Sequence, residues 1–472
     1  MSASANEAPC LLSIAEIGRL YRRRELSPVD VVAACLQRIE RLNPQVNAFV
    51  TVTADSAMAA ARRAERRFAS GEPDRLNPLF GIPFSVKDTL PTAGVRTTSG
   101  SPLFADAVPA ADAAAVERLL QRGAILLGKT NTPAFGWMGV TQNLLFGVTR
   151  NPWNPELTCG GSSGGAAVAT LCGMAPLNIG TDGGGSLRIP ASFCGILGFK
   201  PSFGRVPNHP GGPNWSLQHV GPMARSVADL SVAYQELAGP DERDPYSLPA
   251  EPPRPEADGE PPLRVLFCDD LGFAEAVDPE VVEICRRATA RLSEAGHDVA
   301  TGRPGWPSPM RFWQTLFTAG LARRLGPSAS ERPDAFEPEL LGYVKAGERL
   351  GPFDFYDAGL ARIEWWQHVR ATFEQADVLA MPAVACPPFA AGRRTVGTIA
   401  GREISFYGWS PFSAPFNLTG QPAISIPAGQ TRSGLPVGLQ LVGSRFADRQ
   451  LLRLAATLEL LNPWPTEPPA FG

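Results

Sequence analysis

Lysine is scarce in this chain: Lys87, Lys129, Lys200 and Lys345 stand alone among 43 basic residues, all the others being arginine. A genomic bias toward arginine accounts for most of that, and each surviving lysine becomes more interesting. Histidine is equally sparse, with His209, His219, His297 and His368 widely scattered, and the eight cysteines form no Cys-x-x-Cys pair. Neither a zinc site nor a disulfide framework is readable from such spacing. Charge of one sign is lacking too. A formal net charge of -3 and a pI near 6.0, without long runs of like charge, leave no electrostatic footprint for nucleic acid or an anionic membrane. No apolar run approaches bilayer-spanning length, and the opening MSASANEAPC carries no basic segment ahead of an apolar one. These absences predict a soluble, reducing, cytoplasmic protein that acts on small molecules.

A length of 472 residues admits two or three domains or one large α/β unit. Ser13 with Glu16 reads as a capping box, and Ser27-Pro28 with Asp30 starts a second, amphipathic helix running to Arg41. Residues 11–71 therefore open the chain as a helical region, interrupted by a β-like run at Val46 to Val52 and closed by an Ala/Arg-rich helix ending at Gly71. From Leu79 the pattern alternates, with strands at Phe80 to Val86 and Ala124 to Leu127 around a helix near Ala113 to Arg122. The stretch 239–262 is dense in Pro, Glu and Asp and reads as a surface excursion rather than a linker. A strand-helix unit follows, Val265 to Phe267 and then Pro279 to Glu294. The last strands, Val378 to Met381, Ala423 to Ile426 and Val437 to Val442, have no partner set of their own. They are expected to complete the sheet begun upstream, making residues 1–472 one domain. No internal repeat emerges.

Two motifs suggest chemistry that their context denies. Gly123 to Thr130 matches the phosphate-binding P-loop pattern letter by letter, yet its variable positions Ala124 to Leu127 form an apolar strand, and Asn-Thr-Pro follows where a helix should start. Gly161-Ser162-Ser163-Gly164-Gly165 matches the G-x-S-x-G elbow of α/β-hydrolases, which would make Ser163 a nucleophile. That elbow needs a preceding strand, whereas Asn151 to Cys159 is polar and carries two prolines, and no histidine stands out as a triad partner. An esterase using Ser163 remains a rival reading.

A third constellation uses more of the chain. Thr158 to Ser202 runs through a Gly/Ser loop, an apolar helix, a strand ending at Thr181, and then Gly183-Gly184-Gly185-Ser186. Successive glycines let several backbone N–H groups turn toward one point, which is what an oxyanion hole requires. This stretch resembles the amidase signature family. The likeness extends to Gly81-Ile-Pro-Phe-Ser-Val-Lys87-Asp88, Leu127-Gly-Lys-Thr-Asn-Thr-Pro133, Gly198-Phe-Lys-Pro201 and Gly221-Pro-Met-Ala-Arg225-Ser226. It continues through Gly420-Gln-Pro-Ala423 and Gly434-Leu-Pro-Val-Gly-Leu-Gln440, and is weakest across 250–376.

The resemblance implies a single large α/β domain with a mixed, twisted central sheet flanked by helices, and a Ser, cis-Ser, Lys triad. Carried over residue by residue, the nucleophile falls on Ser186, the bridging serine on Ser162, 24 positions earlier, and the general base on Lys87. The oxyanion donors fall on the N–H groups of Gly183, Gly184, Gly185 and Ser186, and Ser163, Asp182 and Arg188 support the triad through hydrogen bonds. Gly183 stands where the family often has an apolar residue, which keeps the donors and loosens the loop. Neither a metal nor an organic cofactor is implied. A lysine acting as base near neutrality needs its pKa lowered by roughly 2 to 3 units from about 10.4. Burial behind the apolar run Phe80 to Val86 can supply that, and strand alternation turns Asp88 the other way.

The implied activity is hydrolysis of small amides, with aryl amides and carbamates as candidate substrates. Candidate pocket walls are Phe135, Trp137, Met138, Phe146, Trp215, Phe312, Trp313, Phe317, Trp365 and Trp366. The alternative within the family is the glutamine-amide hydrolysing component of a tRNA amidotransferase-type complex. A homodimer is left open.

Overall fold

The computed structural model describes residues 8–70, 77–212, 214–249, 251 and 261–465. Ser13 and Glu16 cap the helix Ile14–Arg23 reciprocally, and Ser27 and Asp30 do the same for the helix Pro28–Val46. That second helix runs past the stop expected at Arg41. Pro44 lies in its last turns, where a missing N–H removes only one backbone bond. It closes instead at Asn47, which adopts φ 54° and whose amide bonds the carbonyls of Phe146 and Val148. The Ala/Arg-rich helix is Ala54–Ala69. Its expected end at Gly71 lies outside the described residues, as do residues 250 and 252–260 of the 239–262 stretch.

Eleven strands form one sheet: β1 Phe49–Val52, β2 Pro83–Lys87, β3 Ile125–Thr130, β4 Leu177–Asp182, β5 Leu197–Lys200, β6 His219–Ala224, β7 Arg264–Phe267, β8 Asp298–Thr301, β9 Val378–Pro382, β10 Ala423–Gln430 and β11 Pro436–Gly443. Their order is β1-β3-β2-β4-β6-β5-β10-β11-β9-β7-β8. β2 runs parallel to β3 and β4, and β7 runs parallel to β8 and β9, while the other neighbours are antiparallel. The strands beyond 239–262 thus extend the sheet begun upstream, giving the expected mixed α/β architecture. Every residue of β2 is buried, as suits a parallel strand covered on both faces. One apolar core packs the first helices, and those at Val227–Leu237, Pro279–Ala290 and Asp448–Leu461, against the sheet. A second gathers Trp137, Trp306, Trp313, Trp365 and Trp409 with the helices Met310–Glu331, Pro338–Glu348 and Pro352–Phe373. No described helix is long and apolar enough to cross a membrane.

The P-loop look-alike is strand β3. A Cβ at Gly128 would stand 2.0 Å from the Thr51 carbonyl oxygen on β1, so glycine is required there by a neighbouring strand. Lys129 is buried, donating to the Leu90 carbonyl and, at 2.7 Å, to Thr92 Oγ1. Contrary to expectation, a short strand, Asn154–Thr158, does precede the serine pair. It pairs with Arg150–Asn151 in a separate two-stranded ribbon, because its polar, proline-bearing sequence cannot join a sheet covered on both faces.

Candidate active site

Parallel β2 and β4 are adjacent, with Ser85 opposite Asn178 and Val86 opposite Ile179. Their C-terminal ends therefore emerge side by side, which is where open α/β sheets hold ligands. Lys87, at the end of β2, is fully buried and donates from Nζ to Ser162 Oγ at 2.6 Å and to Thr181 Oγ1 at 2.9 Å. Ser162 belongs to the loop leading into the helix Gly164–Leu171, and the Gly161–Ser162 peptide is cis. Burial drives the Lys87 pKa down and the Asp182 charge pulls it back, leaving it at about 7. Asp88 faces elsewhere, its carboxylate accepting from the N–H groups of Thr98 and Gly100. Thr181 joins the site without having been expected there. A threonine near a strand end carries no signal of its own until β4 is laid beside β2.

The turn after β4 is organised by a buried ion pair. The Asp182 carboxylate accepts from Gly185 N at 2.7 Å and Leu187 N at 3.1 Å, and from Arg188 Nε and Nη2 at 2.9 and 2.8 Å. Burial by itself would raise the Asp182 carboxyl, but Arg188, Asn417 and Lys200 outweigh it and hold the group well below the usual carboxylate range. Arg188 continues to the Ser413 carbonyl at 2.9 Å, Gln440 Oε1 at 2.7 Å and Asn417 Oδ1 at 2.7 Å. Ser413 Oγ donates to the Gly184 carbonyl at 2.8 Å and Trp313 Nε1 to the Gly183 carbonyl at 3.2 Å. With both carbonyls tied back, the N–H groups of Gly183, Gly184 and Ser186 have no acceptor among the described residues. Gly185 departs from the expected donor set, since its N–H is already bonded to Asp182. Its φ of +124° and a notional Cβ only 2.2 Å from Ser413 Oγ leave no room for any other residue.

Ser163 is wholly buried and outside the cavity. Its Oγ donates to the Thr181 carbonyl at 3.1 Å and accepts from Thr181 N at 3.3 Å, and its N–H bonds the Ser186 carbonyl at 3.1 Å. It ties the serine loop to β4, so it is unavailable as an elbow nucleophile. His219, the histidine that faces Asp182 across β4 and β6, bonds the Leu217 carbonyl at 2.9 Å and no serine.

Ser162, Thr181, Gly183, Gly184 and Ser186 line a cavity of about 290 Å³. Of the aromatic and methionine candidates, Phe135, Trp137, Met138, Trp313 and Phe317 line it too, joined by Met310, Arg324 and Tyr407, which the sequence did not single out. The other five candidates pack elsewhere. Phe312 meets Trp365 at 6.1 Å, Trp366 lies under Arg445, Phe146 under Arg96, and Trp215 stacks on Tyr246 at 4.6 Å. For those on the helices Met310–Glu331 and Pro352–Phe373 the reason is geometric: neighbouring positions fall on different helical faces.

Fold and site together are those of an α/β enzyme that hydrolyses amides. The amidase family model matches residues 30–452, and the chain belongs to that family. It is 35% identical to an acylamidase of Rhodococcus erythropolis over 97% of each chain. It is also 35% identical to a glutamyl-tRNA(Gln) amidotransferase component from Geotalea daltonii, over 96% of this chain and 98% of the relative. Among solved structures, a bacterial aryl acylamidase of the amidase signature family superposes with a TM-score of 0.87 at 29% identity, covering 96% of both chains.

Proposed function

We propose that this enzyme hydrolyses small acyl amides, aryl amides foremost, through an acyl-enzyme on Ser186. The observation that carries the reading is the buried Lys87 amine, 2.6 Å from Ser162 Oγ and with a pKa of about 7. Neutral Lys87 takes a proton from Ser162, which takes one from Ser186 as its Oγ attacks the carbonyl carbon. The N–H groups of Gly183, Gly184 and Ser186 receive the developing oxyanion. The same relay in reverse protonates the departing nitrogen, which leaves poorly as an anion. Aromatic walls at Phe135, Trp137, Trp313 and Phe317 suit an aryl group better than a glutamine side chain. Carbamates present the same carbonyl–nitrogen bond and are proposed as further substrates.

A serine-directed phosphonate followed by peptide mapping tests the assignment. Label on Ser186, lost in Ser186→Ala, is expected; label on Ser163 would overturn it. The likeness to amidotransferase components supports a second reading, glutamine as the amide donor, and rapid glutaminase turnover alongside inert anilides would favour it.

A further inference from the structure

The cavity around Ser186 is lined by a single charged side chain among the described residues, Arg324, and by no carboxylate. Arg324 has neither an ion-pair nor a hydrogen-bond partner there. Its one defined contact is with an aromatic wall: the guanidinium carbon lies 5.2 Å from the centroid of the Phe135 ring. That contact holds the guanidinium over the ring and leaves its N–H groups free for a planar bidentate acceptor.

Helical spacing says where the fork stands. Met310, Trp313, Phe317 and Arg324 all line the cavity from the helix Met310–Glu331. They recur at intervals of 3, 4 and 7, so one face of the helix forms that wall. Trp313 bonds the Gly183 carbonyl beside the nucleophile turn, whereas Arg324 sits about 16 Å further along the axis. Because helical side chains lean toward the N-terminus, the guanidinium reaches part of the way back along the wall. An apolar strip of Phe317 and Phe135 separates it from the reacting end.

Resting on the amidase reading above, we propose that Arg324 is a specificity residue for acidic substrates. The preferred amide carries a carboxylate at its far end, separated from the scissile bond by an aryl or polymethylene spacer that covers Phe317 and Phe135. Arg324 is exposed to the solvent that fills the cavity, so a neutral substrate leaves its guanidinium to water, whereas a carboxylate facing it gains a charge-assisted pair.

Two matched series of anilides test this, one ending the acyl chain in a carboxylate or a methyl group, the other placing the same pair on the amine part. In at least one series the wild type should favour the carboxylate by roughly 3- to 10-fold in kcat/KM, expressed mainly in KM and weakened by salt. Arg324→Gln should collapse that ratio. Arg323→Gln, one position away and outside the cavity lining, should keep it. Equal or reversed preference in both series, or a preference that survives Arg324→Gln, would overturn the proposal. If the wild type turns over none of the anilides, the reaction assignment fails instead. Equilibrium binding of the same anilides to Ser186→Ala then decides the role of Arg324: tighter binding of the carboxylate member, abolished by adding Arg324→Gln, upholds it, and equal binding rejects it.

Discussion

At Lys87 two opposing effects set proton affinity: burial strips water from the ammonium, and the Asp182 charge favours it, with burial the larger. Below about pH 7 the amine is mostly protonated and cannot act as base, so kcat/KM should rise with pH through a midpoint near 7 and level off roughly one unit above it. A rate that stays flat down to pH 5 would remove lysine from the mechanism. Thr181 sharpens the test. Its hydroxyl accepts from Lys87 at 2.9 Å, an interaction that stabilises the ammonium more than the amine. Thr181→Val should move the midpoint to lower pH, while the plateau falls on the order of 10-fold as the amine loses orientation. A midpoint that moves upward would contradict the assigned acceptor. The proposed triad positions Lys87, Ser162 and Ser186 were open to reading because each closes a local motif. Thr181 and Arg324 were not, because their meaning comes from neighbours distant in sequence.

Among the elements, strands announced themselves through short apolar runs bounded by glycine and proline, and β2, β3, β9, β10 and β11 fall within a few residues of where those runs lie. Boundaries that depend on tertiary contact were harder to read. The helix Pro28–Val46 passes over Pro44 because Asn47 finds acceptors in a loop about a hundred residues away, and no local signal encodes that. The Gly183–Ser186 turn shows the same division at higher resolution, since Gly183, Gly184 and Gly185 look alike in sequence and differ in surroundings. A Cβ at Gly183 meets nothing within 4 Å, whereas one at Gly184 would lie 2.6 Å from the Trp313 ring and one at Gly185 2.2 Å from Ser413 Oγ. Gly183→Ala should therefore fold and gain about 0.4–1 kcal/mol by restricting the unfolded chain, visible as a higher denaturation midpoint. Gly185→Ala should lose both stability and activity. Equal effects from the two substitutions would mean that the turn is not held as described.

Across the whole molecule, the site is joined by one ion pair that reaches residues more than two hundred positions apart. Arg188 bonds Ser413, Asn417 and Gln440 from the C-terminal part of the chain while clamping Asp182 at the end of β4, and all of these side chains are buried. The family resemblance implied Asp182 and Arg188 near the proposed triad, but the partners on the C-terminal side follow only from folding that part of the chain onto the same sheet. Arg188→Met removes the cation and leaves a carboxylate buried alone, a change that typically costs about 3–5 kcal/mol. Sign matters for its pH dependence. In the wild type the depressed Asp182 pKa contributes stability that is present above the unfolded carboxylate value and lost as pH falls below it. Without Arg188, burial dominates and raises that pKa, so the variant gains stability as pH falls toward 4 and the carboxyl is protonated. Urea denaturation at pH 7.5 and pH 5 should show the deficit of Arg188→Met shrinking at the lower pH. Asp182→Asn combined with Arg188→Met should be less unstable than Arg188→Met alone, because the stranded charge is gone. Simple addition of the two single losses, with no change between the two pH values, would show that the pair does not act as the joint between the two ends of the chain.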